Sequence, residues 1–437
     1  MTDVDSGRLR HCGRLPRVVT STTGLSRFLR SSGSIAVAMG GMSVATYGFT
    51  MIAARLLGPG AYGAVAALMA TLLVIGVLQL GLQATAARRI SAEPEHVAQI
   101  ERVIMRVTNR AALALGLLML VLTPVVNWVL RLDSLATAAL VAVTAVPMTV
   151  MGGQAGILQG ERRWWPLAVL YVASGVPRLV IGTALMLWRP TEFYAMTGVM
   201  LGAWLPVVVG YYALRRGDRA PATDTDAHRV RPIIRETVHN SQALLAFFAL
   251  SNADVIVARN VLADHEAGLY AAGLIVTKAV LFLPQFVVVV AFPAMATARE
   301  RRRALTRSLV VVAGLGVACT LGSALLSGLA IKFAGGAEYA DVQDRLWMFA
   351  ILGTLLALLQ LLVYSVLARQ GTRSALLVGA AVAAVLGASL WVNTLGQLVT
   401  AVTIVDAVLF ATLLALSLWR MRILDTAPAS TPPAVHV

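Results

Sequence analysis

Long apolar stretches recur along the 437-residue sequence, and they constrain the fold more than any other feature. About 20 apolar residues in helical form are enough to cross the hydrocarbon core of a bilayer. Charged residues make up only 13% of the chain, against roughly 25% in an average soluble domain. The sequence therefore predicts an all-α polytopic membrane protein with twelve transmembrane helices, at residues 34–57, 64–87, 109–130, 135–158, 165–187, 194–214, 241–262, 268–292, 307–330, 346–367, 374–393 and 397–419.

The positive charges predict how these helices are oriented. The net charge is +15, and most of the 36 Lys and Arg residues fall in segments on the side of the N-terminus. The other side holds Arg131, Arg189, Lys332 and Arg345, with Arg55 near it at the end of the first span. Because cytoplasmic loops carry the excess of Lys and Arg, both termini are predicted to be cytoplasmic. We expect a multi-pass protein of a bacterial cytoplasmic (inner) membrane whose basic loops contact anionic membrane lipids, not nucleic acid.

The longest predicted cytoplasmic connection divides the chain into two blocks of six helices. Pro232, within that connection, predicts the start of a short amphipathic helix. The turns after the first helix of each block look alike, with Arg55 and Arg259 at corresponding places. Since six is an even number, the second block repeats the first in the same orientation, and such parallel repeats place the substrate between two lobes. The predicted parts are a basic tail (1–33), a first lobe (34–214), a linker (215–240), a second lobe (241–420) and a C-terminal tail (421–437).

Short motifs stand near the ends of several predicted helices. They are Ala54-Arg55-Leu56-Leu57-Gly58-Pro59-Gly60-Ala61-Tyr62-Gly63, then Leu80-Gly81-Leu82 before Arg88-Arg89, then Gly268-Leu269-Tyr270-Ala271-Ala272, followed by Leu283-Pro284 and Ala291-Phe292-Pro293. With twelve spans in a 6+6 arrangement, the chain resembles the polysaccharide-transporter branch of the multidrug/oligosaccharidyl-lipid/polysaccharide (MOP) exporter superfamily. The resemblance implies a flippase that moves a lipid-linked oligosaccharide to the outer leaflet by alternating access. It also implies as partners a polyprenyl-diphosphate-linked oligosaccharide and the glycosyltransferases and polymerase of a polysaccharide pathway.

Two cations inside the predicted helices are the leading site candidates. A charge at the bilayer centre costs roughly 2.5–3.5 kcal/mol on the insertion scale, so it must face a partner or a wet cavity. Arg178 and Lys278 come from opposite lobes, and their donor groups suit the oxygens of the carrier diphosphate. The alternative for Lys278 is an ion pair with Asp254, which lies at comparable depth, and for Arg178 a pair with an unidentified carboxylate.

Four further ionisable residues complete the candidate set. Arg55 and Arg259 lie within about one turn of the outer interface, where they would snorkel, and both are counted as candidate substrate-binding cations. Asp254 and Asp406 are candidates for coupling transport to protons or sodium ions. The alternative is that both carboxylates serve as counter-charges to buried cations.

Enzyme chemistry finds little support in the sequence. There is no P-loop, no predicted outer loop is large enough for a polysaccharide polymerase, and the first outer loop (58–63) holds no carboxylate for glycosyl transfer. Cys12 and Cys319 form no metal-ligand pattern, so neither a metal nor a cofactor is expected. Two alternatives to a flippase remain: a cation-coupled multidrug-type exporter of small molecules, and a non-transporting membrane scaffold for polysaccharide-assembly enzymes.

Overall fold

The computed structural model describes residues 22–215, 230–296, 301–334, 336–367 and 372–426, which are helical nearly throughout. Two short 3₁₀ segments, Pro94–His96 and Ala337–Arg345, accompany the α-helices. The prediction of an all-α protein is confirmed. The α-helices are α1 (Thr22–Ile75), α2 (Val77–Ala92), α3 (Val97–Val121), α4 (Thr123–Leu130), α5 (Leu135–Gly160), α6 (Trp164–Trp188), α7 (Glu192–Arg215), α8 (Val230–Val261), α9 (Asp264–Ala296), α10 (Arg301–Leu325), α11 (Ser327–Ala334), α12 (Leu346–Leu367), α13 (Thr372–Ala388) and α14 (Leu395–Thr426).

The predicted spans lie largely on these helices, but the breaks between helices fall elsewhere. The predicted loop 58–63 shrinks to Gly58, whose φ of 70° separates two helical parts of α1. Glycine tolerates this positive φ, and Pro59 then suits a helix start because its φ is fixed and it lacks an N–H. Leu122 and Leu326 interrupt the third and ninth predicted spans, which become α3 with α4 and α10 with α11.

Nine helices in the described part of the chain are long and apolar enough to cross a membrane. The first counts as one stretch of 56 residues, Val37–Ala92, although it breaks at Gly58 and Gly76. At 1.5 Å per residue this stretch measures about 84 Å, against about 30 Å for a hydrocarbon core, so it is not one straight crossing. The predicted spans on α9 and on Leu376–Ala388 are not among the nine. A multi-pass membrane protein is confirmed, and the count of twelve spans stays a prediction.

The helices pack as a first half, α1–α7, and a second half, α8–α14. In the first half α6 lies against α1 and α7, while α5 lies against α2, α3 and α7. In the second half α12 lies against α9, α10 and α14, while α13 lies against α8 and α14. The halves meet where α1 contacts α8 and α9, and where α2 contacts α8.

Helices α1 and α9 meet at a seam where their backbones approach so closely that position 268 requires glycine. A Cβ added to Gly268 of α9 would lie 1.9 Å from the carbonyl oxygen of Pro59, which is far inside van der Waals contact. Around this seam a continuous core of buried apolar side chains, including Phe49, Leu68, Tyr270 and Phe349, extends through both halves. The tight seam therefore fixes the distance between the halves at the Gly58 break inside α1, beside the core that both halves share.

Candidate functional site

A cavity of about 700 Å³ lies where the two halves meet, a volume within the usual range of ligand pockets. Its wall combines residues of α1, α2, α5, α6 and α7 with residues of α8 and α9. Within the described part of the chain, Arg178 and Lys278 are the only charged residues in the lining. The structure thus brings these two predicted cations to one cavity, one from each half.

Arg178 stands on α6, directly after the helix-interior Pro177. Its guanidinium donates to the hydroxyl of Thr46 and lies 6.0 Å from the centre of the Phe49 ring. Its Nε atom is buried and finds no hydrogen-bond partner in the described part of the chain, where no carboxylate pairs with Arg178 either. Most of the donor capacity of this side chain is therefore left for an anionic ligand.

Lys278 is held by a neutral side chain of α8. Its ammonium donates to Oδ1 of Asn252 at 3.1 Å, whereas the carboxylate of Asp254 accepts from Tyr270 Oη at 3.0 Å. Of the two alternatives for Lys278, the direct ion pair with Asp254 is not formed among the described residues, because no contact within 4.0 Å joins their charged atoms, although the two groups are near enough to interact electrostatically. Lys278 and Asp254 lie at comparable depth, but the rotation of α8 about its axis directs Asn252 toward Lys278.

A group of amide and hydroxyl side chains occupies another part of the same wall. Gln83 of α2 donates from Nε2 to Gln159 Oε1 at 2.9 Å and to Tyr171 Oη at 2.8 Å. Gln79 and Ser174 also line the cavity. The wall therefore combines cations with neutral hydrogen-bonding groups, which are able to bind a ligand that carries both phosphate and hydroxyl groups.

Asp254 and Asp406 lie outside the cavity lining and are 2% and 1% exposed. Neither carboxylate oxygen of Asp406 has a hydrogen-bond partner among the described residues. Asp406 lies close enough to Asp254 and Tyr270 to interact with them electrostatically. The second half therefore holds two neighbouring buried carboxylates, and none of the described cations forms a salt bridge with either of them.

Arg259 does not line the cavity and does not snorkel, contrary to the sequence-based expectation. It is only 4% exposed, and its Nε and Nη2 atoms donate at 2.9 Å to the carbonyl oxygens of Leu130 and Arg131 at the end of α4. Its Nη1 atom donates to Asp264 at 2.8 Å and approaches the Gly60 carbonyl oxygen at 3.5 Å. A helix end leaves its last carbonyl groups without intrahelical partners, so the end of α4 offers acceptors that hold the guanidinium inside the protein.

Arg55 likewise lies outside the cavity lining and crosses between the halves. Its side chain is exposed, and Nη2 donates to the carbonyl oxygen of Lys332 in α11. Tyr339 Oη, from the second half, donates to the Ala54 carbonyl oxygen at 2.9 Å. We call the contacts in which Arg55, Tyr339 and Arg259 donate to backbone carbonyl oxygens of the opposite half the arginine seam.

Sequence reasoning missed several residues of the site. Asn252 and Tyr270 anchor Lys278 and Asp254, and Thr46 anchors Arg178, yet each is an ordinary polar residue in an apolar helix. These residues lie at the same depth as the charges they contact, and this shared depth was the one feature of the sequence that pointed to them. Depth alone does not separate such residues from those that only join neighbouring helices.

Comparisons with known proteins agree with the predicted relationship. The sequence matches the model of the polysaccharide biosynthesis protein family over residues 28–299, which is more than half of the chain. No curated protein matches the sequence.

Solved structures with the same fold are MOP-superfamily transporters. An inward-facing multidrug resistance MATE-family transporter of that superfamily has a TM-score of 0.71 and 14% identity, covering 89% of this chain and 96% of that one. An outward-facing MATE-family structure has a TM-score of 0.63 and 15% identity, covering 91% and 97%. A MOP-superfamily transporter from Pyrococcus furiosus, reported to have a binding pocket of reverse polarity, has a TM-score of 0.61 and 16% identity, covering 91% and 96%.

At these identities the solved structures establish the fold, and the family match establishes the relationship. The predicted resemblance is confirmed at the level of family and fold. This chain belongs to the polysaccharide biosynthesis protein family, and it is a multi-pass membrane protein with the fold of MOP-superfamily transporters.

Proposed function

We propose that this protein is a flippase that moves a lipid-linked oligosaccharide, the precursor of a polysaccharide, across the bacterial cytoplasmic membrane. The observation that carries the proposal is the cavity between the halves, lined by Arg178 and Lys278 and by no described carboxylate. Among the residues that the structure describes, each cation makes one hydrogen bond, to a neutral side chain. A polyprenyl diphosphate supplies the anionic oxygens that such donors lack, and Arg binds two of them at once.

The remainder of the lining supports a glycan as the second part of the ligand. Gln83, Gln159 and Tyr171 present amide and phenol groups, which donate to and accept from sugar hydroxyls. Membership of the polysaccharide biosynthesis family supports the same substrate class. A multidrug-type exporter of cationic compounds is disfavoured, because a cationic ligand would be repelled by Arg178 and Lys278 and find no described carboxylate in the lining.

The proposed transport cycle rests on two six-helix lobes, residues 34–214 and 241–420, with twelve spans and both termini in the cytoplasm. Two observations support the parallel repeat. The third span of each block is broken near its end, at Leu122 and at Leu326, and gives a short helix, α4 or α11. Arg55 then donates to the end of α11, and Arg259, its counterpart in the second block, donates to the end of α4.

Asp254 and Asp406 are the proposed coupling groups. Both are buried, and neither forms a salt bridge with Lys278, so they are not counter-charges in direct contact with it. A proton or a sodium ion would relieve the cost of holding these carboxylates together out of water. Uptake of such a cation by the second half would supply a driving force for substrate release.

The test is glycan export in cells that depend on a variant for it. Arg178→Ala should abolish export while membrane protein level stays near normal, because it removes a buried cation and no large packing group. Arg178→Lys should restore export only in part, since a point charge lacks the planar fork of a guanidinium. The affinity of the purified protein for a polyprenyl diphosphate should follow the same order, highest for the parent, lower for Arg178→Lys and lowest for Arg178→Ala.

Arg110→Ala is the matched control, because Arg110 is an exposed arginine of α3 outside the cavity lining. It should leave export and diphosphate binding unchanged. Normal export from the Arg178→Ala variant would refute the proposal and favour a scaffold that carries no substrate.

A further inference from the structure

A second pocket, separate from the central cavity, lies where α2 and α8 meet at the side predicted to be cytoplasmic. It measures about 880 Å³ and is lined by Arg88, Arg231, Pro232, Arg235, Glu236, Val238 and Gln242. We call it the basic pocket. It shares no lining residue with the cavity that holds Arg178 and Lys278.

The basic pocket has an excess of positive charge. Its one carboxylate, Glu236, is already bonded by two arginines of α2, since Arg88 Nε and Arg89 Nε each donate to it at 2.8 Å. Arg231 and Arg235 of α8 are exposed and have no ion pair with any described residue. Three guanidinium groups therefore line a pocket with no free anion, the arrangement that a phosphate group fits.

The pocket lies at the level of lipid headgroups. The spacing of Arg231, Arg235, Val238 and Gln242 is i, i+4, i+7 and i+11, which places them on one face of α8. They precede the apolar stretch Leu244–Val261, which is long enough to cross the membrane, by only a few helical turns. Ile234 and Val238 are 45% and 50% exposed, so apolar side chains lie beside the arginines, as a lipid with an anionic head and acyl chains requires.

The geometry points to the basic pocket as a binding site for an anionic phospholipid that holds α2 and α8 together. Arg88 belongs to the first half, and Arg231 and Arg235 belong to the second. One phosphate bound among these arginines would bridge the halves. Glu236 of α8 already makes such a bridge through its bonds to the arginines of α2. Because a ligand that binds one conformation better shifts the population toward it, anionic lipid would favour the state in which this side is closed. This inference is independent of the proposed flippase activity, since it concerns a different site and a different ligand.

The first measurement is lipid binding by the full-length protein. Delipidated protein is titrated with phosphatidylglycerol or phosphatidylcholine, and bound lipid is counted by native mass spectrometry. The Arg231→Gln/Arg235→Gln variant should retain about tenfold less phosphatidylglycerol than the parent, with little change for phosphatidylcholine. The matched control is Arg106→Gln/Arg110→Gln, which removes the same charge from exposed positions of α3 outside the pocket and should retain the parent level.

The second measurement reports the contact between α2 and α8 directly. Thr85 Oγ1 and Thr237 Oγ1 are 3.3 Å apart across this contact, so a Thr85→Cys/Thr237→Cys pair is placed to form a disulfide when the side is closed. In nanodiscs, phosphatidylglycerol should speed this cross-link relative to phosphatidylcholine, and the Arg231→Gln/Arg235→Gln change should remove the difference. Equal phosphatidylglycerol binding by parent and variant, or a cross-linking rate that is independent of lipid, would overturn the inference. Loss of polyprenyl diphosphate binding alone in this variant would also overturn it, by assigning the pocket to substrate entry.

Discussion

Replacing Arg259 should open the arginine seam far more than replacing Arg55, although the two residues hold corresponding places in the sequence. Arg259 is 4% exposed and donates three hydrogen bonds of 2.8–2.9 Å, two of them to the end of α4. Arg55 is exposed and donates one hydrogen bond, to the Lys332 carbonyl oxygen. The structure therefore predicts that the contacts of Arg259 contribute more free energy to closing the seam than the contact of Arg55.

The magnitudes follow from burial and hydrogen-bond count. A hydrogen bond from a buried charge contributes about 1.5–3 kcal/mol, so the two that Arg259 donates to the end of α4 contribute about 3–6 kcal/mol, whereas one exposed hydrogen bond contributes about 0.5–1.5 kcal/mol. With about 1.4 kcal/mol for each factor of ten, Arg259→Met should raise the ratio of open to closed seam by about 100-fold or more. Arg55→Met should raise it by no more than about tenfold. Methionine keeps an unbranched apolar side chain in place of the guanidinium, which limits loss of packing.

The assay is the rate at which a charged maleimide labels a buried reporter cysteine, Ala267→Cys, in protein lacking Cys12 and Cys319. Ala267 is 2% exposed, and its backbone lies against Gly63 across the seam. While the open state is a minor population, the labelling rate rises in proportion to it. A control reporter at Ala155, 0% exposed in the core of the first half, should keep its slow rate. Equal labelling rates for the Arg259→Met and Arg55→Met variants would refute the reasoning, and faster labelling at Ala155 would indicate general unfolding.

Two further predictions concern close contacts in the described chain. Gly268→Ala should lower membrane protein level or transport, because its new Cβ would lie 1.9 Å from the Pro59 carbonyl oxygen. The control Gly379→Ala should leave both unchanged, because nothing lies within 4 Å of its new Cβ. Equal effects of the two substitutions would argue against a tight seam. Where Lys278→Ala lowers the membrane protein level, adding Asp254→Ala should not restore it, because Lys278 bonds to Asn252 and Asp254 bonds to Tyr270. Immunoblots of membrane fractions measure this, and recovery in the double variant would mean that Lys278 and Asp254 pair directly in the membrane.

The sequence was most informative where hydrophobicity alone decides the structure. Apolar stretches located the helices, because backbone polar groups in a bilayer must be satisfied within the helix itself. The depth of Arg178 and Lys278 was enough to place both at the cavity, since an isolated charge in a span must face a polar space or a partner.

The predictions failed where the outcome depended on rotation of a helix or on backbone acceptors. The sequence left two alternatives for Lys278, the cavity and an ion pair with Asp254, because depth does not fix which face of α8 is turned toward α9. Arg259 was expected at the interface because the free carbonyl groups at the end of α4 are not visible in a residue pattern. The loop at 58–63 was expected from its glycine and proline content, yet one positive-φ residue, Gly58, was enough to make the turn.

The acceptors of the arginine seam are carbonyl oxygens, and this has a consequence for how its variants behave. The contacts of Arg259 with positions 130 and 131, and that of Arg55 with position 332, are made to the backbone. The oxygen at each position belongs to the backbone and not to the residue type, although Arg131, with a φ of 48°, lies in the left-handed region that β-branched residues and proline disfavour. The charge-swap experiment that diagnoses a salt bridge between two side chains therefore has no equivalent at these contacts. Lys332 is exposed, so its side chain is free to change with its surroundings while the contact made by its carbonyl oxygen stays chemically the same; the side chain of Leu130 is instead fixed by the buried core.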